Sequence, residues 1–346
     1  MTSKLRARMN IADAEPPLFA GVDVGGTSIK LGIVDNQGRT VAKSGIPTLT
    51  HLGPQAACQR FAEELQGMLG ELGLSLGDLA AIGLGSPGTM DIPRGMLLEP
   101  PNLHGWEHFP LRDRVSESCG NCRVAFANDA NAAAFGEFWV GSGREYHSIV
   151  LLTLGTGVGG GIIIGDLSVD GENSHGSECG HIIIDYHADA RLCGCGHRGH
   201  LEAYASATAL LKRAEEALLT GRPSRLSSFR SDLTALTPLL IGQVAEQGDE
   251  LARELVLDTA MYLGVGITSL MHTIDPAAVI LGGAMTFGAH ETPLGREFLG
   301  RIRQEVQARC FPVLAKRTTI DYASLGGDAG FVGAAGIARM QLLKPQ

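Results

Sequence analysis

Three things are missing from this chain, and each removes a class of function. No uncharged apolar run is long enough to span a bilayer, and the opening MTSKLRARMNIADAEPP lacks the apolar centre of a secretory signal. The sequence therefore reads as a soluble, cytoplasmic protein with no membrane partner. Nor is there a lysine- and arginine-rich stripe: 28 basic against 37 acidic residues leave a formal charge of −9, which gives a nucleic-acid partner no electrostatic footprint. A disulfide framework is absent too, since seven cysteines in 346 residues are an odd number in a large chain and point to reduced thiols and metal. Cys119 and Cys122 form a C-x-x-C without the flanking elements of a redox motif, and read as two thiols at a helix turn. An anionic ligand must then be held locally, by backbone amides and a cation.

What is present is enough apolar sequence, 44% of residues, to bury a substantial core, in a length that fits two domains. The densest chemistry lies in His175 to Ser206, HGSECGHIIIDYHADARLCGCGHRGHLEAYAS. His181, Cys193, Cys195 and His200 are four nitrogen and sulfur ligands, enough to close a tetrahedral zinc site, and the glycines at 194, 196 and 199 let the backbone fold tightly around an ion. His187 and His197 are spare candidates, and whether His200 or His197 completes the set is open. Cys179 reads as a small buried hydrophobe. Glu178 and Glu202 bracket the cluster, so the metal is expected to shape a site next to it.

Residues 1–17 are expected to form a mobile tail ending at Pro16-Pro17. Leu18 to Val22 then reads as a strand, Asp23-Val24-Gly25-Gly26-Thr27 as a glycine turn, and Ile29 to Val34 as a second strand. Such a turn lets a phosphate approach the main chain, with Thr27 as a hydroxyl donor and Asp23 as a carboxylate that can orient hydrated magnesium. Alone it would be an ordinary hairpin. The design recurs about 130 residues later, where Ser148 to Leu154, the turn from Gly155-Thr156-Gly157 and Ile162 to Ile164 repeat it. Two related halves, each bringing a phosphate turn, are the simplest explanation.

Between them, Pro54 to Leu69 has helical spacing, and Leu79 to Leu84 is a strand that delivers the sharp turn Gly85-Ser86-Pro87-Gly88. The loop PNLHGW offers Asn102, whose amide can donate to or accept from a hydroxyl. Val124 to Ala127 is a short strand running into NDANAAAFGE, where either Asn128 or Asp129 can cap the alanine-rich helix. Downstream, helices are expected at Leu201 to Glu216, Pro238 to Glu246 capped by Thr237, and about Asp249 to His272. Ala277 to Leu281 is a buried strand ending at Gly282-Gly283, where a flat base or ribose can approach the backbone.

In order along the chain, DVGGT, GSPG, PNLHGW, NDANAAAFGE, LTLGTGVGGGIIIG, ECGH, CGCG, LGGA and GDAGFVGAA resemble the motifs of the ROK (repressor, open reading frame, kinase) family, most closely its bacterial glucokinases. The resemblance covers about residues 18–340. It implies an α/β, actin-like ATPase (ribonuclease H-like) fold of two α/β domains around a cleft. A small domain is expected over 18–127, completed by a C-terminal helix at 331–346, and a large one over 128–330 with a zinc-binding insertion at 175–206. Position by position, the resemblance makes Asp129 the catalytic base. Asn102, Asn128, Asp129, Glu178, His181 and Glu202 match the sugar ligands. The turns Asp23, Gly25, Gly26, Thr27 and Gly155, Thr156, Gly157 match the phosphate loops, and Gly282 and Gly283 the adenosine site. Implied cofactors are ATP, Mg2+ and a structural Zn2+; implied partners are glucose and ATP, in a homodimer.

One departure stands out: the family usually has cysteine where this chain has His200. Nitrogen can replace sulfur in a tetrahedral site, so zinc retention is expected, with greater sensitivity to acid because two histidines must stay deprotonated. Ser177, Cys179 and Ala207 also depart from the common pattern and bear on substrate preference. The expected reaction is ATP-dependent phosphorylation of D-glucose at its 6-hydroxyl. The alternatives are a kinase for mannose, fructose or N-acetylmannosamine, a polyphosphate donor, for which no enriched basic groove is visible, and a sugar-sensing regulator, which needs a DNA-binding head that 17 residues are too few to supply.

Overall fold

A computed structural model describes residues 6–7, 9–100 and 103–343 of the protein. The chain divides into two compact units, one of Met1–His147, Gly161–Ser177 and Leu325–Gln346, the other of Ser148–Gly160 and Glu178–Ser324.

In the first unit, strands β1 (Arg6–Ala7), β2 (Leu18–Val24), β3 (Ser28–Val34) and β4 (Thr40–Pro47) form an antiparallel run. Helix α1 (Pro54–Glu71), with proline at its first turn, leads to β5 (Leu79–Ser86), which lies parallel to β2. A small ribbon of β6 (Thr89–Asp91) and β7 (Met96–Glu99) and helix α2 (Leu111–Ser118) precede β8 (Val124–Asn128), parallel to β5, and helix α3 (Asp129–Trp139). The sheet order is β1-β4-β3-β2-β5-β8. Side chains alternate across β2 as a pleated strand requires. Ala20, Val22 and Val24 join the apolar cluster with Phe61, Leu65 and Leu69 of α1, while Gly21 turns the other way. On that second face Gly21 and Gly83 admit the last helix of the chain: a Cβ at either would lie 1.8 Å from the carbonyl oxygen of Phe331 or Ala334.

The second unit starts with β9 (Ser148–Leu154), and the chain passes back to the first within β10 (Val158–Ile164), which β11 (Leu167–Ser168) follows. Then come α4 (Glu202–Ala205), α5 (Ala207–Leu219), α6 (Pro238–Glu246), α7 (Glu250–Ile274), β12 (Ala278–Gly283), α8 (Pro293–Arg309), α9 (Pro312–Arg317) and β13 (Thr319–Tyr322), before α10 (Ala329–Leu343) returns to the first unit. The sheet order is β11-β10-β9-β12-β13, with β12 parallel to both β9 and β13. A glycine-turn hairpin followed by two parallel strands thus occurs in both sheets, as β3-β2-β5-β8 and as β10-β9-β12-β13. Thr237 caps α6 through Leu240 N–H at 3.1 Å, and Asp249 caps α7 through Ala252 N–H at 2.9 Å.

Three expectations need correction. The described part of the tail is held, not free: Arg6 pairs with Lys43 across β1 and β4, and Asn36 N–H donates to the Glu15 carbonyl at 2.9 Å. The first unit runs past residue 127 to His147, because α3 packs on α10 and Gly136 lets the two backbones approach. The single helix expected over 201–216 is broken at Ser206, whose extended backbone and side chain, accepting from Ala209 N–H at 3.1 Å, start α5 afresh. Helix α7 is long and apolar enough to cross a membrane by length and composition alone, yet Asp258 interrupts its apolar run, Leu251, Leu255, Leu263 and Ile267 are buried, and the helix packs on α6 and α8.

Candidate active site and metal cluster

In the first unit the turn Gly25–Thr27 is closed by Gly25 N–H donating to the Ser28 carbonyl at 3.0 Å. Thr48, just beyond β4 and fully buried, clamps it from outside. Its N–H donates to the Thr27 carbonyl at 2.9 Å, and its hydroxyl to the Gly25 carbonyl at 2.5 Å. Asp23 ends this side of β2 with its carboxylate against the start of α10, where Gly330 is required: a Cβ there would lie 2.5 Å from Oδ2. Burial pushes the Asp23 carboxyl above the usual range, opposed by Lys30, whose ammonium stands 4.0 Å away and donates to the Gly327 carbonyl at 3.0 Å. A partly buried carboxylate facing one distant ammonium suits a hydrated cation beside phosphates.

Asn128 and Asp129 sit where β8 becomes α3. Asn128 pairs with Ser86 across β5 and β8 and takes the cap, its Oδ1 accepting from Ala130 N–H at 2.9 Å and Asn131 N–H at 3.3 Å. Asp129 is therefore the first helical residue, with Oδ1 accepting from Ala130 N–H at 2.8 Å. The helix start is thus capped by Asn128, with Asp129 adding a carboxylate to the first turn. Gly85 lies beside it, 3.7 Å from its ideal Cβ position to Asp129 Cα. Asn102 lies outside the described residues.

The second unit holds the other turn and a cluster of candidate metal ligands. Gly155 N–H donates to the Gly157 carbonyl at 3.0 Å, so this turn closes over a shorter span than the first. It too has an outside clamp: Thr208 donates its hydroxyl to the Thr156 carbonyl at 2.8 Å, and Ala207 its N–H to the Gly155 carbonyl at 2.9 Å. Gly157 makes room for Glu202, since a Cβ there would lie 2.2 Å from Glu202 Oε2. That oxygen accepts from Val158 N–H at 2.9 Å, while Oε1 lies 3.5 Å from Cys193 Sγ. One carboxylate therefore joins the turn to the cluster.

Local folding explains the cluster. The short turn Cys179–His181 hugs β10, and only glycine fits at 180, where a Cβ would lie 2.0 Å from the Val158 carbonyl. Beyond it Ile184 N–H donates to the Gly199 carbonyl at 2.9 Å and Cys193 N–H to the His197 carbonyl at 2.8 Å, with Gly196 and Gly199 at positive φ. These bonds draw His181, Cys193, Cys195 and His200 together until their ligand atoms all lie within 4.8 Å of one another. His181 Nδ1 and His200 Nδ1 are 3.3 Å apart, Cys195 Sγ and His200 Nδ1 3.2 Å, Cys193 Sγ and His181 Nδ1 3.9 Å. A zinc ion with Zn–N of about 2.0–2.1 Å and Zn–S of about 2.3 Å sets tetrahedral edges of about 3.3–3.8 Å. The donor types fit zinc, and the two separations at His200 lie close to such edges, while the others are somewhat longer.

His197 stands at the margin, its Nδ1 3.9 Å from Cys195 Sγ, and His187 is bonded elsewhere, to Asp185 at 2.8 Å. With its Nδ1 in the cluster, His181 directs Nε2 toward Glu178, 3.9 Å away. Burial lowers the His200 pKa, helped by His181 and His197, and so favours the neutral imidazole a metal needs. Burial pushes the Cys193 thiol up to about 11, which a bound cation would reverse. Cys179 is buried and its thiol is pushed up to about 12 by burial. Gly283, at positive φ, seats β12 on β9, where a Cβ would lie 2.3 Å from the Leu154 carbonyl. Past it, Met285, Phe287, Gly242 and Leu294 line a hollow of about 280 Å³.

Lys30, Thr48 and Thr208 were not foreseen. Lys30 carried a faint signal, a cation seven residues after Asp23 on the next strand; the two threonines carried none.

The sequence profile of the ROK family matches residues 19–341. A glucokinase of Halalkalibacterium halodurans is 34% identical over 323 residues, which are 93% of this chain and 95% of that protein. A ROK hexokinase from Thermus thermophilus superposes with a TM-score of 0.78 at 32% identity, over 94% of this chain and 99% of that one. A ROK family glucokinase from Streptomyces griseus, solved in complex with glucose and AMPPNP, gives 0.73 at 34% identity, over 94% of this chain and 100% of that one. Matched over nearly its whole length in sequence and in structure, the chain belongs to the ROK family and has its actin-like ATPase fold.

Proposed function

We propose that the protein is an ATP-dependent kinase that transfers the γ-phosphoryl group of ATP to the 6-hydroxyl of D-glucose, giving glucose 6-phosphate and ADP. The observation that carries this reading is the end-to-end match to a glucokinase at 34% identity over 93% of the chain. The relative bound to glucose and AMPPNP, at the same identity, supports the pairing of sugar and nucleotide.

In the first unit Asp129 accepts the proton of the 6-hydroxyl as the oxygen attacks phosphorus, a role worth about 10²- to 10⁴-fold. Asn102 and Asn128 hold sugar hydroxyls. Gly25, Gly26 and Thr27 offer main-chain amides and a hydroxyl to phosphate oxygens, and Asp23 would hold hydrated Mg2+. In the second unit Gly155, Thr156 and Gly157 form the other phosphate turn, and Gly282 and Gly283 lead into the hollow that receives the adenosine. Glu178, His181 and Glu202 hold the remaining sugar hydroxyls. Phosphoryl transfer depends mainly on positioning and charge stabilisation, which these turns supply. Zn2+ held by His181, Cys193, Cys195 and His200 would brace the loop that carries this sugar edge, without taking part in the chemistry. A homodimer belongs to the same reading and is checked by light scattering.

A coupled assay of ADP release over glucose, mannose, fructose and N-acetylmannosamine tests the proposal. Glucose is expected to give the highest kcat/KM. A glucose signal no greater than those of the other three sugars overturns the assignment.

A further inference from the structure

Helix α4 is a single turn, too short to be stable by itself, yet it carries Glu202, which touches both the second phosphate turn and the metal cluster. Tyr204, two residues on, shows what fixes it. The side chain is buried, its ring 5.0 Å from Tyr262 of α7, and its hydroxyl is fully engaged. The phenol donates to Asp185 Oδ2 at 2.6 Å and accepts from Arg191 N–H at 2.9 Å.

These partners lie on three separate arms of the metal-bearing loop. Asp185 is four residues after His181, Arg191 two before Cys193, and Tyr204 four after His200. Each arm is tied further. Asp185 Oδ1 accepts from the His187 N–H at 3.1 Å and faces its Nδ1 at 2.8 Å; the Arg191 carbonyl accepts from Gly199 N–H at 3.0 Å. The Arg191 guanidinium grips Glu216 of α5 at 2.9 and 2.6 Å. Only glycine is tolerated at 199, where a Cβ would lie 1.8 Å from the Asp185 carbonyl.

We propose that Tyr204 and Asp185 form a positioning pair: a single phenol oxygen sets the spacing of the metal-bearing arms and, through α4, the seat of Glu202. The inference rests on the zinc and sugar reading given above. Neither residue touches the metal or the substrate. Groups that orient metal ligands from outside typically change metal affinity by about 10- to 100-fold when removed.

The test compares wild type, Tyr204→Phe, Asp185→Asn and the double variant, each loaded with zinc, by the rate of zinc transfer to a coloured chelator. Tyr204→Phe keeps the ring against Tyr262 and removes one oxygen, and Asp185→Asn keeps the shape should the first variant fold poorly. Both single variants are expected to release zinc about tenfold faster. The double variant should be no faster than Tyr204→Phe, because the bond between the two side chains is already lost with the phenol oxygen. KM for glucose should rise in the single variants with kcat at saturating glucose little changed. Release within twofold of wild type, or single effects that multiply in the double variant, overturns the proposal while leaving the zinc reading intact. Wild-type protein that holds no zinc overturns both.

Discussion

Thr48→Val is the cleanest perturbation of the turn Gly25–Thr27, to which the proposed function gives phosphate binding. Valine has nearly the shape of threonine, so the buried site stays filled, and the backbone bond from residue 48 to the Thr27 carbonyl survives. Only the hydroxyl donated to the Gly25 carbonyl at 2.5 Å is lost. Removing one partner of a buried hydrogen bond costs about 1–3 kcal/mol. If the clamp serves to hold the turn in its phosphate-accepting shape, that cost falls on nucleotide binding, and at about 1.4 kcal/mol per decade it amounts to roughly 5- to 150-fold in KM for ATP. Steady-state kinetics at saturating glucose read this directly, with KM for glucose as the internal control. Thr208→Val performs the same operation on the second turn, through the Thr156 carbonyl. A melting temperature lowered by Thr48→Val with KM for ATP unchanged would show that the clamp serves stability and not nucleotide binding.

Three further outcomes are expected. Asp129→Asn should keep its affinity for glucose, measured by calorimetry, and lose at least about 100-fold in kcat; near-wild-type turnover removes Asp129 as the base. Asp23 has a raised pKa in the folded state, so its ionised form opposes folding at every pH above that value. Asp23→Asn should therefore unfold at a higher temperature than wild type at neutral pH and at an unchanged one in strong acid, while binding magnesium and ATP more weakly. Zinc should survive dialysis at neutral pH and be lost in mild acid, because protons compete for the two histidines and two thiolates that would hold it. Metal analysis showing loss already at pH 7 contradicts this.

Local chemistry was legible before any coordinates. Strand, glycine turn and strand at 18–34 follow from β-branched residues flanking DVGGT, and Thr237-Pro238 announces the start of α6 because a hydroxyl cap and a proline at the first turn have one obvious use. His181, Cys193, Cys195 and His200 were legible as a set of possible donors, and the bonds accepted by the Gly199 and His197 carbonyls explain how four dispersed side chains come within 4.8 Å. What the sequence hid are contacts between segments far apart along the chain. Thr48 reaches back 23 residues to Gly25, Thr208 reaches 52 to Thr156, and Tyr204 reaches 19 to Asp185, and no local pattern distinguishes such residues from any other threonine or tyrosine. The boundary expected at 127 failed for a related reason, since α3 is assigned by its packing on α10, about 200 residues away. Ser206 was misread because alanine-rich sequence on both sides continues a helical pattern, while its hydroxyl starts a new cap.

The central claim is the product. Incubating the protein with ATP, magnesium and D-glucose and resolving the sugar product by phosphorus NMR should show one phosphate ester, coupled to the protons of carbon 6, formed with ADP in equal amounts. Phosphate on another carbon, or ADP formed without a sugar ester, would contradict the account.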